Sequence, residues 1–147
     1  MNLAIRPADT ADADRVKACV DAAYRHYVPR IGRPPAPMLA DHAALIAEGK
    51  VHVMGTPIAA LIVFYPKGDR LHVENVAVAP EARGKGFGRA LMAHAEAAGR
   101  RLRLTAVDLY THELMAENIA WYARLGYRET RRAVEDGIPR VWLGKFL

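Results

Sequence analysis

Apolar residues recur at two different periods along the first half of the chain. Leu3 and Ile5 alternate with polar neighbours in Asn2 to Arg6, which predicts a short strand ended by Pro7. Val16, Cys19, Val20, Ala23 and Tyr27 then follow at helical spacing behind the capping chemistry of Asp9, Thr10 and Asp12, and Pro29 is expected to stop that helix. With Gly32, Pro34, Pro35 and Pro37, the segment Arg30 to Pro37 reads as a stiff loop. Met38 to Ala47 is helical again, with Leu39, Ala43, Leu45 and Ile46 apolar and Gly49 as its stop.

The period then falls to two. Val51 to Met54 reads as a strand, Gly55-Thr56 as a turn, and Ile58 to Tyr65 as a central strand apolar on both faces. After a turn at Lys67-Gly68-Asp69, Leu71 and Val73 alternate, but Val76 and Val78 resume one residue out of phase. Such a slip is the pattern of a β-bulge at Glu74-Asn75, a device that re-aims side chains beside active sites. Pro80 ends this strand. A helix is predicted from Gly86 to Gly99, a strand over Val107 to Thr111, and a helix over Glu117 to Leu125 closed by Gly126. Tyr127 to Ala133 and Arg140 to Lys145 pair as a hairpin across Glu135-Asp136-Gly137. The order β-α-α-β-β-β-α-β-α-β-β describes one mixed α/β domain over residues 1–147, a single sheet with helices on its faces.

Composition narrows the classes of partner. Lys plus Arg number 21 against 16 for Asp plus Glu, a net +5 that suits an anionic small ligand such as a phosphorylated cofactor. Trp121 and Trp142 stand apart, without the interleaved bases and aromatics of a nucleic-acid platform, so nucleic acid is not the expected partner. Cys19 is the single cysteine, which excludes an intramolecular disulfide. His112-Glu113 begins a zinc-binding HExxH pattern, but Ala116 stands where its second histidine belongs, and no metal is expected. The longest apolar run, Ile58 to Tyr65, is far short of the roughly 20 residues of a membrane span. With no apolar leader at the N-terminus, a cytoplasmic protein is expected.

The sharpest local signal is Arg83-Gly84-Lys85-Gly86-Phe87-Gly88-Arg89, set between a strand and a helix. Alternating glycines let backbone N–H groups approach an anion, the helix N-terminus adds its dipole, and three cations add charge. Arg89 occupies the third glycine position of a dinucleotide-binding fingerprint, and no Walker-type GK[ST] is present.

In its setting, Val76 to Leu91 resembles the acetyl-CoA-binding motif of the GNAT N-acetyltransferase superfamily, whose Arg/Gln-x-x-Gly-x-Gly/Ala hallmark is matched by Arg83, Gly86 and Gly88. Tyr122-Ala123-Arg124-Leu125-Gly126-Tyr127 is similar to a second element of that family, and the element order agrees over nearly the whole chain. The resemblance implies a mostly antiparallel sheet whose fourth and fifth strands splay apart. It implies pantetheine along Val76, Ala77 and Val78, and pyrophosphate on Gly84, Lys85, Gly86, Phe87, Gly88 and Arg89 beside Arg83. Asn118 is the nearest match to an asparagine of the family motif, whose usual place is held by Met115.

The implied chemistry is direct transfer from acetyl-CoA to a primary amine of a small molecule, a peptide amine being the variant. The alternative is a CoA-sensing module that keeps the fold without turnover. Glu74 at the bulge is the candidate base, with His72 and His112 as alternatives, and Tyr122 is the candidate acid for the leaving thiolate. A homodimer through the C-terminal hairpin is suggested by the resemblance alone. For the acceptor, Asp41 or Glu74 can pair with an amine cation, whereas Arg30 and Arg33 can hold a carboxylate.

Overall fold

In the computed structural model, which describes residues 4–147, one seven-stranded sheet runs in the order β1-β2-β3-β4-β5-β7-β6. Its strands are β1 (Ile5–Pro7), β2 (Val51–Met54), β3 (Ala60–Lys67), β4 (Arg70–Val78), β5 (Ala106–His112), β6 (Arg128–Glu135) and β7 (Ile138–Phe146). Of the strand expected over Asn2 to Arg6, residues 2 and 3 lie outside the described residues, and the described strand is β1, from Ile5. Every pairing is antiparallel except that of β4 with β5. β3 lies inside the sheet, and Leu61 and Ile62 are fully buried, as a run apolar on both faces requires.

Helices cover both faces. α5 (Phe87–Arg101) lies on the Leu71 face, where Gly99 sits against that leucine and the C-terminal Leu147. α1 (Ala13–Tyr24) covers the opposite face with Val16, Cys19, Val20, Ala23 and Tyr24 buried. Burying an aliphatic side chain of this size stabilises the fold by about 1.5–3 kcal/mol. A reciprocal cap between Asp9 and Asp12 starts the segment leading into α1, each carboxylate accepting a backbone N–H at 2.9 Å.

The prolines of the next segment behave differently from expectation. α1 ends at Tyr24 and tightens into a 3-10 turn over Arg25–Tyr27, so Pro29 does not terminate it. Pro29 and Pro37 instead occupy the first turns of α2 (Val28–Ile31) and α3 (Ala36–Leu39), each of which overlaps the stretch Arg30 to Pro37 expected to be loop. Proline is tolerated there because a first-turn N–H has no helical acceptor to lose. The helix expected over Met38 to Ala47 is broken by extended Ala40, and Asp41 caps α4 (His42–Ala47) by accepting the Ala44 N–H at 3.0 Å.

The remaining expectations were closer. Gly126 follows α6 (Ala116–Arg124) with φ +95°, and the Tyr127 N–H returns to the Tyr122 carbonyl at 3.0 Å, closing the helix end. Asp136 and Gly137, at φ +53° and +74°, form the two-residue turn between β6 and β7. β3 starts at Ala60 because Ile58 and Ala59 belong to the preceding turn, in which the Ala59 N–H reaches the Met54 carbonyl at 2.9 Å.

Candidate active site

The sheet opens in its middle. β4 and β5 pair only through Arg70–Ala106, Leu71–Val107 and His72–Asp108. Beyond that point β4 continues to Val78 against β3, while β5 continues to His112 against β7. The bulge lies where the slipped pattern predicts it: Val63 pairs with Asn75 and Phe64 with Val73, leaving Glu74 as the extra residue. Asn75 is buried at 5% exposure, and its Oδ1 lies 2.8 Å from the Tyr24 hydroxyl, which also reaches the Val76 carbonyl at 3.0 Å. Tyr24 therefore ties α1 to the bulged strand.

Beside β4, a cleft of about 510 Å³ is lined by Val76, Val78, Arg83, Phe87, Gly88 and Trp121, among others. The Ala79 N–H reaches the Ala59 carbonyl just ahead of β3, so the alternation of the ladder turns the backbone groups of Val76 and Val78 toward the cleft and those of Ala77 toward β3. Ala77 is 1% exposed and does not line the cleft; nor does the outward-facing Lys85. The other residues expected to hold the cofactor, including Asn118, do line it.

The floor of the cleft is a cradle of amides. The N–H groups of Gly84 through Arg89 have no acceptor among the described residues, the first bond into α5 being that of Ala90 to Gly86 at 3.1 Å. Gly84 and Gly86 adopt φ of +78° and +81°, a region that side chains disfavour, and nothing lies within 4 Å of where their Cβ atoms would stand. Gly88 has another reason to be glycine: a Cβ there would lie 2.9 Å from Trp121 Cζ2. Arg83 anchors the loop by donating from Nη2 to the Ala23 carbonyl at 3.0 Å, and Arg89 and Arg124 add cations to the walls. Glu117 is engaged by Arg30 at 2.8 Å, so the charge facing the cradle is positive.

Between the splayed strands lies a second chamber of about 250 Å³. Glu74 and Tyr122 both line it, and Tyr24 and Asn118 line both cavities, which therefore share a wall. Tyr65 donates to Glu74 Oε1 at 3.3 Å, with its own pKa pushed up to about 12 by burial and by the neighbouring carboxylate. Burial, reinforced by Tyr27, drives the Tyr122 pKa well above the usual phenol value, and its hydroxyl has no hydrogen-bond partner among the described residues. It is thus a neutral donor at physiological pH.

Met115, the N-cap of α6, meets Asn118 in the helix's first turn. The Met115 sulfur accepts from Thr111 Oγ1 at 3.3 Å and lies 3.6 Å from Asn118 Nδ2, so Met115 orients the neighbouring asparagine. His72 is buried and bonded through Nδ1 to Asp108 at 2.9 Å, away from both cavities, whereas His112 lines the chamber. Asp41, as the α4 cap, does not reach the chamber.

The model of the acetyltransferase (GNAT) family matches residues 15–127. The chain belongs to this family. Among solved structures, that of the PaiA N-acetyltransferase from Thermoplasma acidophilum in complex with coenzyme A is similar at TM-score 0.83 and 13% identity, covering 100% of both chains. The ribosomal-protein-S18-alanine N-acetyltransferase from Escherichia coli is similar at TM-score 0.75 and 19% identity, over 99% of this chain and 94% of that one. Nourseothricin acetyltransferase reaches 28% identity at TM-score 0.59, over 65% of this chain and 62% of that one. No curated protein matches the sequence. As a GNAT member the chain is an acyltransferase with acetyl-CoA as co-substrate. The free amides, the open strand edge at Val76 and Val78, and the surrounding arginines fit a pyrophosphate and its amide-bearing arm. No helix among the described residues is long and apolar enough to cross a membrane.

Sequence reasoning missed Tyr24 as the anchor of the bulge, Tyr65 as the partner of Glu74, and Arg140, which reaches the chamber from the far hairpin. Only Tyr24 had a signal, as the last apolar residue on the buried stripe of α1.

Proposed function

We propose that this GNAT acetyltransferase acetylates a primary amine of a small molecule by direct transfer, with Glu74 as base and Tyr122 as acid. The observation that carries this reading is that both side chains line one chamber, which shares Tyr24 and Asn118 with the cleft above the amide cradle. Acetyl-CoA supplies an activated thioester when bound. An alkylammonium, with a pKa near 10.4, must lose a proton before its nitrogen can attack. Glu74, held at the bulge and steadied by Tyr65, accepts that proton directly or through one water. Tyr122 carries a proton at neutral pH and gives it to the thiolate as the carbon–sulfur bond breaks, while the new carbon–nitrogen bond forms. The chamber, about 250 Å³ and walled by Pro34, Pro35 and Pro37, supports a small acceptor over an extended peptide.

The test is thiol release from acetyl-CoA with a panel of small amines and short peptides. The reading expects turnover with small amines, lowered about 10²-fold or more by Glu74→Gln and about tenfold or more by Tyr122→Phe. Turnover confined to peptides would overturn the small-molecule assignment. Unchanged rates in both variants would overturn the catalytic one.

A further inference from the structure

The chamber is electrically polarised. Among the described residues, Glu74 is its only carboxylate, while Arg33, Arg140 and His112 stand in its remaining wall. Arg140 comes from β7, where it pairs with His112 of β5. Its side chain is only 15% exposed, and its Nε is buried with no hydrogen-bond partner. Its one acidic neighbour among the described residues, Glu135, lies at 3.6 Å and already accepts the Trp142 indole N–H at 2.8 Å, so Arg140 is left stacked over Tyr110 at 4.3 Å with most donors unspent. A buried guanidinium in that condition is costly unless something anionic meets it.

The other two groups also have donors to offer, Arg33 from an exposed position. Arg33 has no ion pair or hydrogen bond among the described residues, and the loop that carries it is stiffened by Pro34 and Pro35. His112 accepts the Leu114 N–H on Nδ1 at 3.0 Å, which leaves the proton of the neutral ring on Nε2. Burial and the charge of Arg33 both keep that imidazole below its ordinary value, so it faces the chamber as a neutral donor.

We infer that Arg33, Arg140 and His112 form a carboxylate subsite, and that the acceptor is an amino acid-like zwitterion whose amine lies toward Glu74. This deepens the proposed transfer reaction and rests on it. A planar guanidinium matches a carboxylate in two parallel bonds. Two formal cations against Glu74 leave one net positive charge in the wall, which suits a monoanion better than a phosphate dianion. Glu74 and the three basic groups line the same chamber of about 250 Å³, so the two poles are met by opposite ends of one small molecule.

The experiment compares kcat/KM for ω-amino acids of two to six carbons with their carboxamides and with aminoalkylphosphonates. Binding of the same compounds in the presence of CoA is measured by calorimetry. The carboxylate is expected to exceed its carboxamide by about 10- to 100-fold, the range of a charge-assisted hydrogen bond, chiefly through KM. Arg140→Gln is expected to bring that ratio near one, while Arg131→Gln, on the neighbouring strand outside the chamber, keeps it. Turnover without a carboxylate preference, a preference for the phosphonate, or a ratio that survives Arg140→Gln would each overturn the subsite and leave the transfer reaction standing. Binding that prefers carboxylates through Arg140, without acetyl transfer, would uphold the subsite and overturn the reaction.

Discussion

The Trp121 indole occupies the space that a side chain at Gly88 would need, with Cζ2 2.9 Å from the position of a Cβ there. Helix propensity alone favours Gly88→Ala by up to about 1 kcal/mol, since residue 88 lies in the first turn of α5. The clash is expected to win, because an indole is rigid and its displacement narrows the cleft that it lines. Acetyl-CoA affinity should fall about tenfold, read by calorimetry. Adding Trp121→Leu should restore part of it, the signature of two residues sharing one space.

Tyr24→Phe removes the hydroxyl that reaches Asn75 and Val76. Asn75, buried at 5% exposure, loses its partner, so stability is expected to fall by about 1–3 kcal/mol in urea unfolding. If the bulge depends on this tie, kcat should fall as well, because Glu74 is the bulged residue.

Arg83 and Lys85 are neighbours in the glycine-rich loop with different prospects. Arg83 lines the cleft and holds the Ala23 carbonyl, while Lys85 points outward. Arg83→Ala is expected to weaken acetyl-CoA binding about tenfold and Lys85→Ala less than about twofold, at a fixed salt concentration because exposed charges are screened. Equal losses would mean that only net charge matters.

Acid should destabilise the fold through buried histidines. Burial, foremost, holds His42, His52 and His94 below the ordinary histidine value of 6.5, and both ring nitrogens of His42 lack partners among the described residues. With the folded values depressed, the unfolded chain takes up protons first as pH falls through 6.5. Stability is therefore full above that pH and lost below it. Denaturation midpoints from pH 8 to pH 5 should show the decline, and His52→Phe, which keeps the stack on Phe64, should make it shallower.

Regions where one residue type answers one local demand were legible in the sequence. The slipped alternation at Glu74, the positive-φ glycine after α6 and the glycine-rich helix entry are of that kind. Prolines misled because the same residue that ends a helix also opens one, and only the surrounding chain decides between them. Arg140 was invisible because its meaning depends on β7 lying between β5 and β6, a long-range pairing that no local pattern encodes. Gly88 was legible as glycine but for an incomplete reason, since Trp121 is distant in sequence.

An unpaired strand edge is ordinarily an invitation to another chain, and exposed edges are where sheets begin to aggregate. Here the two open edges, β4 beyond His72 and β5 beyond Asp108, lie in the middle of the sheet and diverge from each other. α6 contributes Asn118, Trp121 and Tyr122 to the walls of the space they leave. A second sheet has no room to stack along such an edge, whereas a thin, flexible ligand can enter it. The protein thus keeps the adhesive property of a bare strand while limiting its use by size.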